Sequence, residues 1–138
     1  MSADSGWDVQ TGVFSRLTGT SALTTLLSNG ANSVLDHVPA GTAFPYIVIG
    51  EASARPMDSQ RVSGSDVTLT VHTYSRGVGM QEAKRIMSAL YDALHHASFA
   101  IPNQVLVLCQ LLDSQTVLEN DGLTRHGIQR FQIITEPA

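Results

Sequence analysis

The stretch Asp66-Val67-Thr68-Leu69-Thr70-Val71-His72-Thr73-Tyr74-Ser75 alternates with a period of two. Val67, Leu69, Val71 and Thr73 point one way; Thr68, Thr70, His72 and Tyr74 point the other. That is the period of a strand buried on one face only. Past Arg76-Gly77-Val78-Gly79 the period changes. Ala83, Met87, Leu90 and Leu94 fall on one helical face, widened by Ile86 and Ala93. Gln81, Glu82, Arg85, Ser88, Asp92 and His95 fall on the other, so the spacing predicts a helix over 80–97. A one-sided strand needs cover and a one-sided helix supplies it. Met87, Leu90 and Leu94 are therefore expected to pack on Val67, Leu69 and Val71.

Reading outward, Phe44 to Glu51 is a second strand with apolar residues on both faces, Pro45 standing near its start because it cannot donate to a ladder. Val34 to Val38 reads as a short strand closed by Pro39. Between the two longer strands lies Ala52 to Ser65, which exceeds a hairpin loop of 2–5 residues and reads as a long loop, mobile until a neighbour orders it. Before them, Val9, Val13, Phe14 and Leu17 mark a helix over 5–18. A shorter helix follows, capped by Thr20 or Ser21, with Leu23, Leu26 and Leu27 inward and Asn29-Gly30 as its stop. After the 80–97 helix, Val105 to Leu112 is a strand that continues through Thr116 to Leu118 past a bulge at Asp113-Ser114. Glu119-Asn120-Asp121-Gly122 is a turn, and Leu123 to Thr135 is the return strand. The expected architecture is α+β: a mainly antiparallel sheet of about four strands, helices on one face, and one long helix between two β-hairpins.

A chain of 138 residues with no linker or repeat fits one domain, expected to span 1–138, and can bury a core without disulfides or metal. Charged residues are only 14% of it, and a surface this poor in charge suits cover by other protein. A net charge of -4 argues against a nucleic-acid reader or a polybasic membrane binder. Cys109 stands alone, so a disulfide scaffold is excluded and a reducing compartment is expected. No apolar run approaches a membrane span, and the N-terminal residues lack the pattern of a signal peptide.

The motifs that carry chemistry are missing or mismatched. Gly77-Val78-Gly79 sits where a dinucleotide-binding turn would, but Glu82 holds the third glycine position and would repel a pyrophosphate. The five histidines, His37, His72, His95, His96 and His126, form no metal-ligand spacing; His95 and His96, neighbours on the helix end, read as cations meeting its dipole. No G-x-S-x-G is present, Cys109 lies in an apolar run as a core residue would, and Asp113, Glu119 and Asp121 read as solvated acids about a turn. No enzyme activity, cofactor or metal is expected. Positive charge is mostly arginine, with Lys84 the single lysine; arginine is what protein interfaces favour.

Three segments in this order and spacing resemble a known family: Phe44-Pro45-Tyr46-Ile47-Val48-Ile49-Gly50-Glu51 followed by Arg55-Pro56; Val67 to Arg76 leading into Gln81-Glu82-Ala83; and His126-Gly127-Ile128-Gln129-Arg130-Phe131. With Asp36-His37-Val38-Pro39 and the leading helices, nearly the whole chain resembles the tail completion, or tail terminator, proteins of long-tailed phages and gene transfer agents. Tyr74 departs from the pattern, where many relatives carry Trp. The resemblance implies a virion protein: a six-fold ring of copies at the head-proximal end of the tail tube, which stops tube growth and meets the head connector or stopper. DNA would pass through without specific binding, and no membrane is involved. Arg55, Asp58, Arg61, Arg125 and Arg130 are the expected subunit or tube contacts. Two other readings stay open, a stopper elsewhere in the neck and a small ligand-binding or enzymatic α+β domain.

Overall fold

A computed structural model describes residues 4–58 and 63–138. Helix α1 (Gly6–Thr18) and the one-turn α2 (Ser21–Thr24) lead through a 3-10 turn (Gly30–Ser33) into β1 (Val34–Leu35). Strands β2 (Tyr46–Asp58) and β3 (Ser63–Ser75) follow, then α3 (Gln81–Leu94), β4 (Gln104–Leu118) and β5 (Arg125–Pro137). The strands form one sheet in the order β1-β2-β3-β5-β4. All neighbours are antiparallel except β1, which runs parallel to β2 through Val34–Ile47 and Leu35–Val48.

The fold is α+β, with two corrections to the expected architecture. The sheet has five strands where about four, mainly antiparallel, were expected, and it is mixed because the short Val34–Leu35 segment joins it parallel to β2. Nor is there a single long helix: α3 has 14 residues and α1 has 13. The α3 pattern extends on paper to residue 97, but His96 takes a positive φ of 56° and the helix stops at Leu94.

The core lies on the helix-bearing face. Val67, Leu69 and Val71 of β3 and Phe131 and Ile133 of β5 meet Ile86, Leu90 and Leu94 of α3 and Val9, Val13 and Leu17 of α1 in one buried cluster. Phe14, expected inward on α1, is instead 44% exposed. Its neighbour Gly12 is buried, and a Cβ there would lie 2.8 Å from Ile101 Cγ1 and 3.0 Å from the Ala100 carbonyl. The missing side chain lets the 100–101 segment press on the helix, and that contact sets which face turns inward. At α2, Thr20 does not cap; its hydroxyl donates to the Arg16 carbonyl at 2.6 Å.

The expected long loop is another correction. Pairing of β2 with β3 continues from Ala52–Leu69 to Asp58–Ser63, so Ala52 to Asp58 and Ser63 to Ser65 are a hairpin arm. Only residues 59–62, outside the described residues, lie between the two strands.

Candidate interaction surface

Side chains alternate across a strand, and directly paired residues share a face. Asp66, Thr68, Thr70, His72 and Tyr74 of β3 therefore share the open face with His126, Ile128, Arg130, Gln132 and Ile134 of β5. This face is crossed by polar rows. In the first, Arg55 on β2 donates to Asp66 at 3.2 Å, Gln132 on β5 donates to the same carboxylate at 3.1 Å, and Gln110 on β4 donates to Gln132 at 2.8 Å. Four strands are thus tied by one band. In the second, Arg130 donates to Asp113 on β4 at 2.8 Å. The third joins Glu51, His72, His126 and Glu119.

Aromatic rings adjoin the third row. Tyr74 stacks on His126 with centroids 4.4 Å apart and on Tyr46 at 5.2 Å; Phe44 meets Tyr46 at 5.0 Å, and Arg76 lies 4.2 Å over Phe44. Burial pushes both tyrosine hydroxyls above their ordinary pKa, Arg76 opposing this at Tyr46.

The turn signal at 119–122 is fulfilled. Asp121 accepts from the Leu123 and Thr124 backbone N–H groups, both at 2.8 Å, and from the Thr124 hydroxyl at 2.7 Å. These bonds, those from Thr124 foremost, bring the Asp121 pKa down to about 2. Gly122 takes the positive φ of 70° that closes the turn. At the β3–α3 junction, Glu82 accepts from the Ser75 hydroxyl at 2.6 Å, so the acid in place of the third glycine anchors the turn instead of leaving a phosphate cradle. His95 and His96 lie past the helix end, not on it. His95 Nδ1 accepts the Leu111 N–H at 3.0 Å, and the His96 N–H donates to the Cys109 carbonyl at 2.7 Å. They cover the middle of β4's outer edge, a role the dipole reading missed.

The five predicted contact residues do not gather in one patch. Arg55 and Arg130 stand on the open face; Asp58, paired with Ser63, and Arg125, paired with Ser75, are registered to the opposite one. Arg125 donates to the Leu123 carbonyl at 2.8 Å, and its Nε is buried with no hydrogen-bond partner among the described residues. Arg61 lies outside the described residues. Sequence reasoning missed Trp7, which is 72% exposed and lines a groove of about 330 Å³ with Phe14, Asp36 and Ile49. A lone Trp before a helix carries no periodic signal of its exposure.

The sheet has open margins at both ends. On β2, β1 covers only the Ile47–Val48 stretch, and no strand among the described residues pairs with the outer edge from Ile49 to Asp58. β4 closes the opposite end; its outer edge is covered at Cys109 and Leu111, and its Val105, Val107, Leu112 and Leu118 side chains are exposed.

Comparison with known proteins places this architecture. The curated tail completion protein gp17 of Bacillus phage SPP1 is 29% identical over 97 residues, spanning 70% of this chain and 72% of the relative. A chain from a solved structure, the virion of a native gene transfer agent particle, superposes with a TM-score of 0.86 at 20% identity over 98% of this chain and 99% of that one, which fixes the fold. The family model described as tail completion protein gp17 matches residues 11–136, and the chain belongs to that family of structural tail proteins.

Proposed function

We propose that the protein is a tail terminator: a single domain whose copies close into a ring, six in number, at the head-proximal end of a tail tube. The ring ends tube growth and presents a different upper face to the head connector. The observation that carries this reading is the pair of open margins at opposite ends of one sheet. A closed ring needs head-to-tail contacts in which one patch meets a different patch of the neighbour. The β2 arm on one side and the β4 margin on the other supply two such patches on a rigid body. The proposed contact residues divide between them. Arg55 and Asp58 belong to the arm; Arg130, bound to Asp113 of β4, and Arg125 of β5 belong to the far side; Arg61, also proposed as a contact, lies outside the described residues. The names borne by the relatives, a tail completion protein and a gene transfer agent virion, support the same place in a particle. The net charge of -4 suits a bore through which DNA slides without being held.

Particles lacking the protein are expected to carry tails of uncontrolled length, or tails that do not join filled heads. Normal-length, head-joined tails in the deletion strain would exclude the terminator role. Co-sedimentation with purified tail tubes distinguishes a terminator from a stopper, which would bind the connector instead.

A further inference from the structure

The third polar row on the open face is a continuous chain of four titratable side chains. His72 Nε2 lies 2.7 Å from Glu51 Oε1, His126 Nδ1 lies 2.6 Å from Glu119 Oε1, and between the rings His72 Nδ1 lies 2.7 Å from His126 Nε2. The two imidazoles are largely buried, with side-chain exposures of 15% and 13%. The four residues come from β2, β3, β5 and the β4–β5 turn, so the chain crosses the sheet at the end where the 119–122 turn sits. Gly50 makes room for it: a Cβ there would lie 2.6 Å from His72 Cδ2, so only glycine lets that ring lie across β2 toward Glu51.

Three contacts join four ring nitrogens, and each needs one proton. The outer two are N–H groups donating to carboxylates, and the third bridges the rings. Two neutral imidazoles carry only two protons and leave one contact unmade, with lone pairs opposed. Two imidazolium rings carry four and set N–H against N–H. Only the singly charged pair satisfies all three contacts.

We propose that His72 and His126 share one bridging proton and act as a pH-sensitive latch that fastens β2, β3, β5 and the 119–122 turn together near neutral pH and opens on acidification. The inference rests on the fold and not on the proposed ring.

The surroundings agree in sign. Burial lowers the His126 pKa below that of an ordinary histidine, the Glu119 hydrogen bond opposing and the His72 charge adding to the effect. Glu51 is held below the usual carboxylate range, chiefly by its hydrogen bond from His72. The other groups facing the pair are Tyr74, stacked on both rings, and Tyr46 and Arg76 beyond it. Folding therefore favours the neutral form of His126. The singly charged latch loses stability as pH falls from the unfolded histidine value of about 6.5 through the lower folded value of His126, where a second charge sets N–H against N–H.

Ring-nitrogen NMR across pH 4–9, paired with urea unfolding at pH 7.5 and 5, tests the proposal. Coupled two-step titration of the two rings is expected, along with a drop in the urea midpoint at pH 5. His126→Gln and Glu119→Gln should shrink that drop; the exposed His37→Gln should not. Should His126→Gln fail to fold, Glu119→Gln, at a turn acid, serves alone. Independent one-step titration of the two rings, or an equal drop in wild type and Glu119→Gln, overturns the latch. So does stoichiometric zinc retained after dialysis and lost in His72→Gln, which would put a metal and not a proton between the rings.

Discussion

Strand β2 has two halves in one ladder, and they are held by different forces. From Tyr46 to Ile49 it pairs with β3, and at Ile47 and Val48 with β1 as well, with Ile47 fully buried and Ile49 nearly so. From Ala52 to Asp58 it keeps the pairing with β3 but every residue is exposed. The register shift between Ile49 and Ala52 marks the passage. Backbone hydrogen bonds therefore suffice to continue a strand past its core, but they stabilise it only weakly, since each replaces a bond to water. The root is secured by buried apolar area; the arm is secured by its ladder, the Arg55–Asp66 pair and its fit against β5.

The largest expected effect falls on the root side. Phe131 is fully buried between the positions of Leu69 and Leu111. Phe131→Ala should cost about 3–5 kcal/mol, and Leu90→Ala about 2–5 kcal/mol, in urea unfolding. An unchanged midpoint for both would mean that the helix-bearing face is not the core. An intermediate effect is expected where the arm touches the body. A Cβ on Gly64 would lie 2.7 Å from the Thr135 carbonyl oxygen, and backbone cannot swing aside. Gly64→Ala should cost about 1–3 kcal/mol, as overpacking does, and a neutral result would show the arm to be independent of β5. Arg55 is 80% exposed on its side of the ion pair. Arg55→Ala should lower monomer stability by no more than about 1 kcal/mol, because the exposed guanidinium is screened and Gln132 still donates to the buried Asp66 carboxylate. A larger loss would move the arm into the folding unit.

The smallest stability effects are at single groups. Asp121→Asn should destabilise slightly, with a difference present above the ordinary carboxylate pKa and vanishing as pH falls through about 2, because the folded pKa is depressed. A difference that grows in acid would reverse the assignment. Cys109 is buried and its thiol is pushed up to about 12 by that burial. Labelling by a maleimide at pH 8 should be slow in the native protein and fast in urea; rapid native labelling would show that this part of β4 opens readily.

The contrast between root and arm also explains what was legible beforehand. The alternation of Val67 to Ser75 and the stripe of Ala83 to Leu94 could be read because one face of each is buried, and burial is what imprints a period on a sequence. The β2 side of the arm has no buried residue, so Ala52 to Asp58, with Arg55, Pro56 and Asp58, looks like a loop although its backbone is a strand. The Val34–Leu35 segment was visible, but its parallel pairing is set by the preceding helices and by no local signal. Phe14 was misplaced because periodicity counts side chains and ignores Gly12, whose missing one sets the helix against residues 100–101. The family was legible in the order of three segments. The contact residues were read by charge alone, and charge does not say which sheet face a residue takes. His72 and His126 stand far apart in the chain, and only the β3–β5 register, with Tyr74 opposite His126, brings the rings together.

The two histidines that follow α3 bear on aggregation. An uncovered strand edge is a template for any other strand, and long flat ones seed aggregates. On β4 the backbone groups of Cys109 and Leu111 are already engaged by His96 and His95. A foreign strand can lie along only part of that edge before it meets the plug, and the bulges at Leu106/Leu108 and Leu111/Asp113 break the straight run further. The plug thus guards the β4 edge against strand addition between free subunits, and His95→Ala is expected to give faster thioflavin-positive aggregation of an otherwise folded protein.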